Sequence, residues 1–600
     1  MFDESTEIGE RTAAGSNEAI GTRGCRRSEA TDTGSRRRSE ATDAGSRRSE
    51  AAGTCGDGRH DNGAAQRFDD ERLRTDGGDA TAAGFESSSA VDRRDPVAIN
   101  TLASLRSVSY GALLSLFGLI AMKVFEFGMN LALTRALSVD AYGVYAYGAM
   151  ALAMLVGFVH LGANPTLIRY IPAYRDDPVH QQWVFGLAVL TTAVSSLCFA
   201  FVTFWYAPTI NALTLDEPAF VPVLRLFALM LPLVLFAHLF ADLFRSLERI
   251  EYQVLIVRLA EPGGYFLAAV LALVVGLTLF ETVGAMLVAI GLTLCLALWL
   301  VVRRTDIRPV VSRQMQRRDV FEFYNTAIPM ALSRFGNLMH NRVDVLLVGL
   351  LLSASAAGIY NIALFLTALI SIPLSAVNVI FPPVASRLYT DGDNQTLNAV
   401  YSTATRWIVT GALVLAAVQY VYRYELLSLF GSAYTTGASL MTLFIVARLV
   451  HCGVGSAGWL LVMTGHQYAE SINSWLVGVL NVALSYYFIL EFGLIGAALG
   501  TASALAAINV LRVIEIWHFE RLSPFEIGFL KPIAACLAMV AVLYGVGFVL
   551  SGTVLLVVGT VAGVGTFVGV LLLAGIEPAD RELLAAFAQQ YREWNAARAR

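Results

Sequence analysis

The sequence predicts an all-α, polytopic membrane protein with about fourteen transmembrane helices behind a polar N-terminal tail. Composition is the first reason. The 600 residues are 56% hydrophobic and 15% charged, with a mean hydropathy of +0.59; a soluble domain averages about 45–50% apolar and about 25% charged. Distribution is the second. Beyond residue 107 the apolar residues gather in runs separated by short gaps, and a helix needs ~20 such residues to cross a ~30 Å hydrocarbon core. The runs are rich in Leu, Ala, Val and Gly and lack the alternation of barrel strands, so helices satisfy the backbone in lipid.

Residues 1–95 have few large apolar side chains and repeat Arg-Arg-Ser-Glu-Ala-Thr-Asp from Arg26 and again from Arg37. Such a segment cannot offset its ordering entropy, and it reads as a disordered cytoplasmic tail or an over-extended gene start. No cleavable signal opens the chain, so the first apolar run serves as the insertion signal. The expected spans are about 108–134, 141–161, 182–206, 221–244, 252–276, 281–302, 323–351, 356–381, 402–423, 436–463, 473–491, 493–517, 528–549 and 554–575. Alternate loops carry Arg169, Arg175, Arg245, Arg249, Arg303, Arg304, Arg308, Arg313, Arg317, Arg318, Arg387 and Arg521, whereas Arg135 and Arg423 are exceptions on the other side. By the positive-inside rule both termini face the cytoplasm. Past the last span, residues 578–600 place Leu584, Phe587, Tyr591 and Trp594 near one helical face, as in a short amphipathic helix on the inner membrane surface.

The net charge of −4 averages over segregated charges and decides nothing. The six cysteines show neither zinc spacing nor a C-x-x-C pair, so no metal site, cofactor or disulfide framework is expected. No Walker A sequence occurs, which argues against ATP hydrolysis by this chain. No long outer loop offers room for a catalytic domain, and nothing points to nucleic acid.

A weak internal duplication gives more. Leu137-Ser138 through Gly143-Val144-Tyr145 resembles Leu352-Ser353 through Gly358-Ile359-Tyr360, each joining one long span to the next, and the arginine-rich loop before residue 320 is the seam. Two similar bundles about a central cavity are a recurring transporter plan. The stretches Arg135-Ala136-Leu137-Ser138 through Tyr142-Gly143-Val144-Tyr145, Leu161-Gly162 through Arg169-Tyr170, Gly358-Ile359-Tyr360-Asn361, Thr464-Gly465 and Phe492 through Ala498 resemble the polysaccharide-export branch of the multidrug/oligosaccharidyl-lipid/polysaccharide exporter superfamily. The resemblance covers about residues 100–595. It implies two six-helix lobes in a V shape, here 96–318 with its linker and 319–517, followed by extra helices over 518–577. It implies a transporter, not an enzyme: a flippase of polyprenyl- or dolichyl-linked oligosaccharide in the plasma membrane, working by alternating access. Membrane lipids and glycan-assembly proteins would be its partners. A cation-coupled drug or metabolite antiporter is the alternative, and a membrane glycosyl-transfer enzyme or polymerase comes after it.

Ionisable residues inside spans are costly and face cavities or partners. In the first span Lys123, Glu126 and Asn130 share a helical face; Lys123 and Glu126 form a neutralising pair or line a cavity. In the seventh, Arg334, Asn337, Asn341 and Asp344 form a stripe, with Arg342 beside it. Arginine meets phosphate oxygens with two donors at once, so Arg334 and Arg342 are the candidate substrate contacts. Arg448 and His451, three apart in the tenth span, make a second patch. Arg258 and Glu261, also three apart, read as an interfacial salt bridge.

Overall fold

The computed structural model describes residues 96–310 and 317–575, with side chains from residue 114 onward except 319, 329–330, 332–342 and 527. The expected tail over 1–95 and the amphipathic segment 578–600 lie outside the described residues. Among the described residues all regular structure is helical.

In chain order, α1 (Pro96–Ala136), α2 (Val139–Val159), α3 (Ala163–Ala173), α4 (Pro178–Trp205), α5 (Ala207–Leu213), α6 (Phe220–Ser246) and α7 (Ile250–Gln253) come first. A π-helical segment, Val254–Ala260, leads into α8 (Glu261–Val275) and then α9 (Leu279–Arg304). The second half holds α10 (Arg317–Leu351), α11 (Ala354–Ala368), α12 (Ile372–Thr390), α13 (Asn394–Val421), α14 (Arg423–Ser428), α15 (Ala438–Gly453), α16 (Ala457–Met463) and α17 (Gln467–Glu520). The last pair is α18 (Leu530–Gly547) and α19 (Gly552–Leu573). Among the described residues twelve segments are long and apolar enough to cross a membrane. α17 counts once there, although its 54 residues contain a non-helical Gly493 (φ 59, ψ −135), and the 35-residue α10 is additional. The chain is a multi-pass membrane protein with about fourteen crossings.

Gly493 turns α17 into a helical hairpin. Its backbone conformation is one that only glycine adopts freely. Beyond it the two arms touch through backbone, since a Cβ on Gly496 would lie 1.8 Å from the carbonyl oxygen of Phe488. At the arginine-rich end Arg512 clamps Glu470 with two hydrogen bonds, Nε to Oε2 at 2.9 Å and Nη2 to Oε1. Gly493→Ala is expected to lower the thermal midpoint in detergent by the equivalent of about 1–3 kcal/mol. Gly291→Ala, in α9 with nothing within 4 Å of the added carbon, should leave the midpoint in place.

Local signals set other boundaries. Pro178 opens α4, and the carboxylate of Asp177 accepts from the backbone N–H groups of Val179 and His180, both at 3.1 Å. The His180 backbone N–H first, then the His180 imidazole 2.6 Å from Asp177 Oδ2, and last the Val179 N–H, hold the Asp177 carboxyl below the usual aspartate range. A depressed acid stabilises the fold fully above its unfolded pKa and ceases to as pH falls through the folded one. Asp177→Ala should therefore melt below the parent at pH 7, and the gap should close as pH drops well below about 4.

The duplicated segment is duplicated in contacts. Ser138 caps α2 by accepting from the N–H of Ala141 at 3.2 Å, and Ser353 caps α11 by accepting from Ala356 at 3.1 Å. Tyr145 donates to Met129 Sδ at 3.7 Å, while its counterpart Tyr360 donates to Asp344 Oδ2 at 3.0 Å. The counterparts Gly143 and Gly358 face each other: a Cβ on Gly358 would lie 3.1 Å from Gly143 Cα. Equivalent residues touch in this way where they lie on a two-fold axis. α2 packs on α10 and α11 here, and the contact continues to the end of α1. There Arg135 Nε donates to the carbonyl of Leu429 at 2.7 Å and Nη2 to that of Ser428 at 3.3 Å.

Arg135 and Arg423 broke the loop-charge pattern, and both have structural work. Arg135 ties α1 to the end of α14, and Arg423 stacks on Tyr420 and Tyr424 at 5.0 and 4.9 Å. The final helices α18 and α19 pack on each other and against α13, where Tyr422 donates to the carbonyl of Leu543 at 3.0 Å.

Candidate functional site

Three polar clusters sit inside the bundle. In the first, Lys123 Nζ lies 2.7 Å from Glu126 Oε2, and each side chain is 31% exposed. One turn on, the buried Asn130 donates to the Glu126 carbonyl at 2.8 Å and accepts from Tyr142 Oη at 2.7 Å. Tyr142 in turn accepts from Asn361 Nδ2 at 2.9 Å. A hydrogen-bonded line thus runs from α1 through α2 to α11, across the two halves. Of the three expected residues, Lys123 and Glu126 neutralise each other and Asn130 is tied into this line.

The second cluster lies in the second half. Asp344 is 2% exposed. Its carboxylate accepts from Tyr360 Oη at 3.0 Å, Thr501 Oγ1 at 3.3 Å and the N–H of Val345 at 2.9 Å. A buried carboxylate needs such donors, because desolvation otherwise makes its charge prohibitive. Arg448 on α15 stands within electrostatic range of Asp344 and Tyr360; among the described residues no carboxylate is within ion-pair distance of it. His451, one turn further, is 3.2 Å from Asn509 Oδ1 by its Nδ1. The fold therefore brings together Asp344, Arg448 and His451, three residues singled out by the sequence. It adds Tyr360, Thr501 and Asn509, which sequence reasoning missed; Tyr360 stands in the duplicated segment, and a polar residue in an apolar run was the available signal for the other two. Arg334, Asn337, Asn341 and Arg342 lie on α10, and their side chains fall outside the described residues.

The third cluster was not anticipated. His238 Nε2 on α6 is 2.9 Å from Glu261 Oε2 on α8, and the rings of His160 and His238 stack at 6.1 Å with 13° between planes. Close by on α6, Asp242 Oδ2 accepts from Asn164 Nδ2 at 2.6 Å. The expected Arg258–Glu261 salt bridge is absent among the described residues: Arg258 donates instead to the carbonyl of Ser115 on α1, and Glu261 pairs with His238. The reason is the π-helical segment over Val254–Ala260. Its wider turn rotates Arg258 off the face that i,i+3 spacing assigns to both residues in an α-helix.

Among the described residues, on the arginine-rich face, Tyr170, Tyr174, His180, Trp183 and Glu322 line a shallow, solvent-open pocket. Tyr170 and Tyr174 stack at 5.9 Å, and Tyr174 and His180 at 5.1 Å, an arrangement suited to the membrane–water boundary.

Residues 108–388 match the family model described as polysaccharide biosynthesis protein. A curated relative from Haloferax volcanii, the "Probable low-salt glycan biosynthesis flippase Agl15", is 27% identical over 217 residues. That match spans 35% of this chain and 42% of the relative, less than half its length. Among solved structures, the lipid II flippase MurJ in an inward closed conformation superposes with a TM-score of 0.60 at 14% identity, covering 75% of this chain and 98% of that one. An inward-facing multidrug resistance MATE family transporter of the MOP superfamily gives 0.55 at 13% identity, covering 67% and 94%. Over residues 108–388, just under half of the chain, the sequence thus resembles the polysaccharide biosynthesis protein family, and its fold is like those of the lipid II flippase MurJ and of a MATE family transporter.

Proposed function

We propose that the protein is a flippase that moves a phosphate-linked glycolipid between the leaflets of the plasma membrane, and that it catalyses no bond-making step. The observation that carries this reading is Arg448, a guanidinium inside the bundle with no ion-paired carboxylate among the described residues, set beside the buried Asp344. Arginine presents a planar fork that matches phosphate oxygens, and an intramembrane arginine calls for an anion. The family match and the relative's glycan flippase description support a lipid-linked oligosaccharide as that anion. Arg334 and Arg342 on α10 would extend the phosphate site, and Asn337 and Asn341 would offer hydrogen bonds to sugar hydroxyls. In this reading the halves 96–318 and 319–517 are the two lobes that rock about the Gly143–Gly358 contact. The arginine-rich loops and both termini face the cytoplasm, where glycan-assembly proteins would deliver substrate.

The test is the leaflet distribution of lipid-linked oligosaccharide in cells lacking the gene. Glycolipid should accumulate on the cytoplasmic leaflet while surface glycan disappears, and Arg448→Gln should reproduce the defect with normal protein levels. Normal leaflet distribution and normal surface glycan in the deletion strain would refute the flippase and leave the cation-coupled antiporter.

A further inference from the structure

The first half carries one unpaired cation on its outer surface. α4 ends at Trp205 and α6 begins at Phe220, and the loop joining them holds Asp216 and Glu217 but no arginine, which places both ends at the arginine-poor face. Five residues into α6, about 7.5 Å along its axis, Arg225 is exposed. Its guanidinium stands over the ring of Phe204 at 5.3 Å. Among the described residues no carboxylate lies within ion-pair distance of it. We propose that Arg225 binds the phosphate of an anionic phospholipid in the leaflet at the arginine-poor face, with an acyl chain of that lipid laid along α4.

Depth and charge argue for the head group. Trp205 and Tyr206 are exposed at the same end of α4, and such residues mark the head-group level of a bilayer. The apolar stem of an arginine lets its charge reach that level, so the Arg225 guanidinium sits among lipid phosphates and not at the centre of the hydrocarbon. The two other arginines at this face already have protein acceptors. Arg135 donates to the carbonyls of Leu429 and Ser428, and Arg423 to that of Tyr420 at 2.6 Å. For Arg225 the Phe204 ring is the partner among the described residues. A ring beneath a guanidinium holds its plane and leaves the N–H edge to hydrogen-bond, and that edge meets two phosphate oxygens at once. A zwitterionic head group would bring an ammonium as well, with no carboxylate at Arg225 to receive it. A head group of net negative charge therefore fits better.

The surface below suits a lipid chain. Phe204, Phe201, Leu197 and Leu190 are all exposed. Their spacing puts them on one face of α4, the face that carries the ring under Arg225. An apolar face of this length, exposed within a spanning helix, is one that lipid covers. It runs 14 residues, about 21 Å, longer than one leaflet's half of a ~30 Å core. Phe201 and Trp205 stack at 5.9 Å with 22° between planes, which fixes the upper end of the stripe. On α6, which packs on α4, Leu229 is exposed one turn below Arg225. Charge recognises the head of one lipid while the stripe beneath holds its tail.

The test uses no transported solute. The purified full-length chain is incubated in detergent with phosphatidylglycerol and phosphatidylcholine in equal amounts, and the lipids it retains are counted by native mass spectrometry. The parent should retain one phosphatidylglycerol in preference to phosphatidylcholine, and inorganic phosphate, which has no chain, should not displace it. Arg225→Gln should weaken that retention by about tenfold or more. Arg225→Lys keeps the charge but not the fork and should fall between the two; it carries the test if the glutamine variant does not elute as the parent does on size exclusion. Arg423→Gln removes the same charge from the same face and should retain the lipid as the parent does. Equal retention of the two lipids by the parent, or parent-like phosphatidylglycerol in Arg225→Gln and Arg225→Lys, would overturn the proposal and leave Arg225 as a snorkelling residue only. A lipid preference lost in Arg225→Gln, in a protein whose deletion leaves glycolipid distribution normal, would keep this site and reject the flippase.

Discussion

If the protein is the flippase proposed above, Gly143→Val is expected to abolish translocation, while Gly284→Ala leaves it intact. A Cβ at Gly143 would lie 1.8 Å from the carbonyl oxygen of Ala354 and 2.4 Å from its carbon. Both are backbone atoms at the start of α11, so no side chain can swing aside. Relief requires α2 and α11 to separate, and separation breaks the Asn361–Tyr142–Asn130 line and the bonds from Arg135 to the α14 end. Overpacking of this kind costs typically about 1–3 kcal/mol, and the broken hydrogen bonds add about 0.5–1.5 kcal/mol each. With every 1.4 kcal/mol worth a factor of ten in an equilibrium, the conformer in which α2 and α11 touch should be populated roughly a hundredfold less, and a transport cycle that passes through it should fall with it. A Cβ at Gly284 meets nothing within 4 Å, which makes it the matched control. Glycolipid leaflet distribution reads the rate, and size exclusion separates a stalled carrier from an unfolded one. Native flipping in Gly143→Ala would show that this crossing does not govern transport.

Asp344→Leu should be the most destabilising single change in the second half. The carboxylate organises three donors, the Tyr360 and Thr501 hydroxyls and the Val345 N–H. Tyr360 and Thr501 also contact each other at 3.0 Å, so leucine leaves them one another but strands the remaining hydrogen-bonding capacity in an apolar pocket. Each orphaned buried group costs about 1–3 kcal/mol. The expected result is little folded protein in the membrane and a sharply lower thermal midpoint in detergent. Tyr360→Phe removes one donor and should cost about 1 kcal/mol. In the double variant Asp344→Asn/Tyr360→Phe the losses should be less than additive, as they are for partners in contact. Strict additivity, or an Asp344→Leu variant melting with the parent, would remove Asp344 from its organising place.

The spans were legible because lipid imposes one rule on every crossing: an apolar run near twenty residues long. The expected 221–244 became α6, Phe220–Ser246, and the break expected between 491 and 493 became the Gly493 turn. The duplication was legible from a few small residues, and the fold sets Gly143 against Gly358, the two positions it aligned. The chemistry was less so. Spacing joined Arg258 to Glu261, but spacing assumes an α-helix, and a π-helical turn separated them. His160 and His238 stand 78 positions apart, each a lone histidine in an apolar run; only the packing of α2 on α6 brings their rings together. Asp344, Arg448 and His451 were each visible as polar residues inside spans, yet the meeting of Asp344 with Tyr360, Thr501 and Arg448, and of His451 with Asn509, is a property of helices distant in sequence.

The meeting of Gly143 with Gly358 bears on how such a chain can diverge. A side chain on a symmetry axis must fit its own copy, so in a true homodimer any change there is felt twice and small residues are the ones that survive. Joining the halves into one chain encodes the two positions separately. The axis keeps its glycines because steric limits still bind both, but one step away the constraint is relaxed. There Tyr145 retains Met129 as its neighbour while Tyr360 has acquired Asp344. A scaffold of two like parts can thereby hold a carboxylate at one of two matched positions and a thioether at the other, so that its halves meet as chemical opposites at this point.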